Sequence, residues 1–243
     1  MEQNIQKAGN FLPRVEEPND FSEVNRNVVS LTAPSSVAAE QYRTLYYRLE
    51  RMRELKPMKV VAITSAVAGE GKTVTAVNLA LASARANPDR RILLIDADLR
   101  RSQVAEMLGI RGKPGLCELL TGDAELREVV RRFKSTRLAV IPGGGVAEDS
   151  TQLLASARMK ELVKWLREGF DEIYIDLPPT LPFADAEILS SQMDGVVLVV
   201  RAGMTSSSHV HEALEHLTGA SVVGCVLNGA DLHATPYLKE YLK

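Results

Sequence analysis

Between an apolar run at residues 59–64 and a helical pattern that starts at residue 73 lies Ser65-Ala66-Val67-Ala68-Gly69-Glu70-Gly71-Lys72-Thr73. Few folds accommodate such a stretch except as a buried strand turning into a helix around a phosphate. Small residues let backbone N–H groups close around phosphate oxygens while the helix N-terminus faces the anion. The backbone of Ala68, Gly69, Glu70, Gly71, Lys72, Thr73 and Val74 is expected to form this cradle. Lys72 would bridge the β- and γ-phosphates, and the Thr73 hydroxyl would turn to Mg²⁺. A plain glycine-rich turn would not require strand, loop, Lys-Thr and helix in this order.

The rest of the chain is read outward from that loop. Short runs rich in Val, Ile and Leu recur at residues 59–64, 91–96, 138–142, 172–176, 196–201 and 222–228. None alternates with polar residues, as expected for strands covered on both faces. Helical patterns at residues 73–85, 156–167 and 206–217 fall between them. This rhythm predicts an α/β fold, a doubly wound and mostly parallel sheet of P-loop NTPase type. Ahead of it, residues 36–55 read as a helix capped by Ser35 or Ser36, with Tyr42, Leu45, Leu49 and Met52 on one face and Glu40, Arg43, Tyr47 and Glu50 on another. Residues 1–34 are expected to be an arm with little structure of its own, from which Val28, Val29 and Leu31 could dock. Residues 35–234 form one ATPase domain in this reading, and residues 235–243 a tail.

Composition narrows the function classes. Lys and Arg number 29 against 31 Asp and Glu, so no global basic field points to nucleic acid. Residues 1–10 lack the basic and apolar regions of a signal peptide, and no run of about 18 apolar residues offers a membrane span, so a cytoplasmic location is expected. Cys117 and Cys225 each sit in an apolar stretch with no metal-ligand spacing, and both read as buried free thiols.

Acids end two of the strand runs. Asp96 and Asp98 follow Leu93-Leu94-Ile95, and Asp176 follows Ile173-Tyr174-Ile175. Residues i and i+2 of an extended chain point to one side, so the first pair could hold Mg²⁺ beside a triphosphate or take a proton from an attacking hydroxyl. A lone strand-end acid is common in α/β proteins; three motifs in this order indicate a Mg²⁺-ATP site. Asp185 could meet the nucleotide site after the Pro178-Pro179 turn but is expected chiefly as the N-cap of a helix starting near Ala186, and Asn228 either reaches the adenine or serves the Asn228-Gly229 turn. Arg201 and the four histidines carry no functional assignment.

From residue 28 to residue 231 the chain resembles the bacterial protein-tyrosine kinases, or BY-kinases, of capsule and exopolysaccharide export. The resemblance rests on the loop ending Gly71-Lys72-Thr73, on Asp96-Ala97-Asp98-Leu99-Arg100, and on Ile173 to Asp176 followed by Leu177-Pro178-Pro179. It implies ATP and Mg²⁺ as cofactors, with Lys72 on the phosphates, Thr73, Asp98 and Asp176 serving the metal, and Asp96 activating a tyrosine hydroxyl. It implies that Tyr237 and Tyr241, in Thr235-Pro236-Tyr237-Leu238-Lys239-Glu240-Tyr241-Leu242-Lys243, are acceptors presented to a neighbouring subunit. Glu40 and Arg43 match two positions of the family's ring-forming motif, with Tyr46 where a second arginine is usual. A membrane-anchored activator of the polysaccharide co-polymerase type, recruitment to the inner face of the membrane and a cognate tyrosine phosphatase are implied as well. Two alternatives share the motifs. A MinD- or ParA-like ATPase switch would carry a lysine where Val67 stands, and a degenerate relative would bind nucleotide and regulate export by contact alone.

Overall fold

The computed structural model describes residues 14–15, 23–132 and 136–230. Eight strands form one sheet: β1 (Arg14–Val15), β2 (Val60–Ser65), β3 (Ile92–Asp96), β4 (Arg131–Arg132), β5 (Ala139–Ile141), β6 (Glu172–Asp176), β7 (Gly195–Arg201) and β8 (Val222–Asn228), in the order β1-β4-β5-β3-β6-β2-β7-β8. From β5 to β8 every pairing is parallel. Only β4 runs antiparallel to its neighbour β5. The helices are α1 (Val29–Thr32), α2 (Val37–Leu55), α3 (Lys72–Ala86), α4 (Val104–Leu108), α5 (Leu116–Thr121), α6 (Leu126–Val129), α7 (Ser150–Ala155), α8 (Ala157–Gly169), α9 (Asp185–Ser190) and α10 (Ser207–His216).

Strand side chains alternate between two cores. Ala62, Leu93, Ile95, Ile173, Ile175 and Leu198 pack toward Met159, Val163 and Leu166 of α8 and Ala213 of α10. Val61, Ile63, Leu94, Tyr174 and Val199 pack toward α3 and, beyond it, toward Tyr46 and Leu49 of α2. A strand offers alternate residues to opposite faces, so covering both demands the unbroken apolar runs seen in the sequence.

One feature departs from the expectations and two add to them. Within residues 23–34 Val28 and Leu31 are docked, as their apolar side chains led one to expect, Val24 is buried beside them, and α1 is held against α3 by the fully buried Asn78. The Asn78 amide donates to the Asn27 carbonyl at 2.9 Å while its oxygen accepts from the Ser30 N–H at 2.9 Å. Cys117 is buried as expected, but Cys225 is exposed. It lies on β8, an edge strand of the sheet among the described residues. The inward face of α2 centres on Tyr46, which is 1% exposed, with Tyr42, Leu45 and Met52 packed beside it. An arginine at position 46 would therefore point into the core. Ser36 caps α2 by accepting from the Ala39 N–H at 3.2 Å.

Candidate active site

The loop at residues 66–71 is shaped by its glycines and propped from beneath. Gly69 and Gly71 adopt φ of +86° and +93°, a region that side-chain-bearing residues rarely occupy. The buried Glu70 carboxylate accepts from the Val67 N–H at 2.9 Å and from the Thr205 hydroxyl. Asn228, at the end of β8, donates its amide to the Glu70 carbonyl at 2.8 Å. That contact makes Asn228 a support of the loop. A Cβ on Gly71 would collide with the Asn228 amide nitrogen. Gly71→Ala is therefore expected to displace Asn228 and strain the backbone, costing about 1–3 kcal/mol of stability and most nucleotide affinity. Calorimetric titration with ATP alongside thermal melts measures both effects.

Immediately after the loop α3 begins at Lys72, so its unpaired N–H groups and positive dipole end face the cradle. The acids converge because β6 lies between β2 and β3, with Asp96 opposite Asp176 in the register. Thr73 donates its hydroxyl to Asp176 at 2.7 Å. The Lys72 ammonium stands 2.8 Å from Asp98 and 3.5 Å from Asp176. Burial alone would lower the Lys72 pKa, but the charges of Asp176 and Asp98 more than offset it and raise it. Burial raises the carboxyl of Asp176 against the opposing pull of Lys72 and Thr73.

Asp96 differs from the other two acids. It is fully buried, its Oδ2 accepting from the Ser102 hydroxyl at 2.7 Å and the N–H groups of Gln103 and Val104 at 3.0 Å each. Among the described residues its Oδ1 takes only the Asp98 N–H, at 3.2 Å. Burial and then the charge of Asp176 push its carboxyl up to about 7. Asp98, not Asp96, lines the open cavity of about 610 Å³ in front of the loop.

Three walls enclose that cavity besides the loop: Asn25 and Asn27 of the docked arm, Gln103, Glu106 and Met107 at α4, and Pro179, Pro182 and Phe183 beyond β6. Arg100 also lines it, its guanidinium lying 4.1 Å from the centre of the Phe183 ring. Asp185 does not cap a helix as expected. Fully buried, it accepts from Arg100 at 2.8 Å, from Ser150 at 3.1 Å and from Thr151. These donors hold its carboxyl below the usual range against the penalty of burial.

The chemistry of these donors fits the implied cofactors. Thr73, Asp98 and Asp176 offer the hard oxygens that Mg²⁺ prefers, beside a loop open to phosphate. Among the described residues no group of three or more His, Cys, Asp or Glu could hold a metal ion by itself.

Elsewhere, Glu40 and Arg43 pair with each other on the exposed N-terminal turns of α2, and Arg43 also donates to the Pro34 carbonyl at 2.8 Å. Tyr237 and Tyr241 lie outside the described residues. A polar cluster that the sequence pattern does not announce lies at the opposite end of the sheet. Glu172, 2% exposed, accepts from Arg53 and Arg90 at 2.7 Å each, from Tyr174 at 2.7 Å and from Ser83 at 2.9 Å. Its one sequence signal is an acid opening an otherwise apolar run.

Comparisons with known proteins bear on the fold and the family. Residues 58–219 match the family described as AAA domain. The chain is 36% identical over 216 residues to tyrosine-protein kinase YwqD of Bacillus subtilis, covering 88% of this chain and 90% of that one. It is 34% identical over 224 residues to the succinoglycan biosynthesis transport protein ExoP of Rhizobium meliloti, covering 90% of this chain but 28% of that protein. Among solved structures, the kinase domain of Escherichia coli tyrosine kinase ETK superposes with a TM-score of 0.80 at 26% identity, over 95% of this chain and 94% of that one. The cell division ATPase MinD of Pyrococcus furiosus shares the fold at a TM-score of 0.59 and 24% identity, over 76% of this chain and 78% of that one. With the phosphate loop, the paired acids of β3 and the acid of β6 converging as described, this chain belongs to the bacterial tyrosine-protein kinase family of P-loop ATPases.

Proposed function

We propose that the enzyme uses Mg²⁺-ATP to phosphorylate tyrosines in the tail of a neighbouring copy, Tyr237 and Tyr241, and so regulates exopolysaccharide or capsule export. The observation that carries this reading is the convergence of Lys72, Thr73, Asp98 and Asp176 at one end of the central strands. Lys72 would exchange its carboxylate partners for phosphate oxygens. Thr73, Asp98 and Asp176 would hold Mg²⁺, which when bound neutralises phosphate charge. Asp96 accepts the tyrosine proton in this reading: its carboxyl near 7 suits a base at neutral pH, and its Oδ2 is oriented by three donors. Phosphoryl transfer needs little covalent work, so positioning and charge neutralisation supply most of the rate.

Among the described residues no helix is long and apolar enough to cross a membrane. A membrane-anchored activator that recruits the kinase fits this, as does the likeness to part of ExoP. A cognate tyrosine phosphatase would complete the cycle, and Glu40 with Arg43 would form the subunit contact. Each phosphotyrosine adds about two negative charges, which oppose re-entry into a site rich in phosphate and carboxylate. Phosphorylated copies should therefore separate.

Labelled ATP and Mg²⁺ test the whole reading. The wild type is expected to gain phosphotyrosine, and Tyr237→Phe with Tyr241→Phe to lose it and remain associated in light scattering. Hydrolysis without phosphotyrosine would indicate an ATPase switch, a reading disfavoured by Val67 at the position of the switch group's lysine. Nucleotide binding without turnover would indicate a regulator acting by contact.

A further inference from the structure

The cavity extends well beyond the groups that would meet phosphate, and its far side has a chemistry of its own. Gln103, Glu106 and Met107 are spaced i, i+3 and i+4, so they share one face of α4 and its cap. Opposite them the arm contributes Asn25 and Asn27, fixed by the Asn78 clasp and by the Asn25 N–H donating to the Met107 carbonyl at 3.0 Å. Two carboxamides, a third from Gln103 and a buried methionine suit peptide backbone and apolar side chains better than they suit phosphate.

Charge distinguishes the two sides. Lys72 is committed to Asp98 and Asp176, and Arg100 to Asp185. Arg101, exposed and lining the same cavity, adds a cation next to Arg100 in the chain. On the α4 side the exposed Glu106 has no ion-pair or hydrogen-bond partner for its carboxylate among the described residues. The sequence of the tail matches this arrangement. Tyr237-Leu238-Lys239 and Tyr241-Leu242-Lys243 repeat one pattern, a tyrosine with lysine two positions on. In an extended peptide those two side chains point the same way, about 7 Å apart.

We infer that the cleft between the arm and α4 is the acceptor-peptide subsite, and that Glu106 selects tyrosines followed two positions later by a basic residue. The inference rests on the kinase reading for its biological meaning, but its test reads binding alone. A fluorescent peptide of residues 235–243 and a version with both lysines replaced by glutamate would be titrated with the full chain in Mg²⁺ and a non-hydrolysable ATP analogue.

The wild type is expected to bind the lysine peptide about fivefold more tightly, the scale of one partly exposed ion pair, and the margin should narrow with added salt. Glu106→Lys is expected to reverse the preference, a result that misfolding cannot mimic. Equal affinity for the two peptides, an unaltered preference in Glu106→Lys, or no saturable binding of either would each overturn the inference. Loss of phosphotyrosine with the preference intact would count against the kinase reading alone.

Discussion

Lys72→Met abolishes ATP hydrolysis and phosphotyrosine together, with turnover expected to fall by at least about 10²–10³-fold, the scale of losing one preorganised charge donor. Methionine keeps the length of the side chain and its fit among Thr73, Asp98 and Asp176, but removes the only ammonium within reach of both carboxylates in the described structure. The fold should survive. Asp176 already has a raised carboxyl, so it can take up a proton once its counter-charge is gone. Thermal melts, ATPase rates and a phosphotyrosine assay on the purified variant measure the three parts. Undiminished phosphotyrosine would remove Lys72, and with it the whole constellation, from the mechanism.

Asp96→Asn should separate chemistry from stability. Phosphotransfer is expected to drop about 10²–10⁴-fold, the usual contribution of a positioned base, with nucleotide affinity still measurable. The same substitution should stabilise the nucleotide-free protein at neutral pH. The folded carboxyl titrates near 7 against an ordinary 3.8, so between those values the folded chain binds a proton that the unfolded chain does not. Stability from this group is therefore greatest at low pH and declines as pH rises from about 4 to about 7. Asparagine carries no charge to bury and can keep the three donors now on Oδ2, losing only the long bond from the Asp98 N–H. Its advantage should vanish toward pH 4. Retention of more than about a tenth of wild-type turnover would move the base to Asp98, which already lines the cavity.

How much was legible in the sequence follows from how local each feature is. The loop could be read because backbone geometry, small residues and helix start all lie within nine consecutive positions. The acids could be read because strand runs end where a parallel sheet ends, although only the register of β3 against β6 places Asp96 opposite Asp176. Asp185 looked like a helix cap because its partners, Arg100, Ser150 and Thr151, belong to distant segments. The same holds for residues 23–34. Their apolar side chains are too few to show a period, and their stability comes from Asn78 and the α3 surface. Cys225 misled in the other direction, since an apolar run does not disclose that its strand is outermost.

The Glu172 cluster has a mechanical consequence. Helix α2 carries Glu40 and Arg43 near one end and Glu50 and Arg53 near the other, a stiff rod of about 20 Å between them. At the far end Arg53 grips both Glu50 and Glu172, and Arg90 grips the same two acids. The rod is thus bolted to the first residue of the strand whose last residue is Asp176. Sliding α2 along its axis would take Arg53 from the buried Glu172 and Glu50 from Arg90, so a push at Glu40 loads β6 before it can move the helix alone.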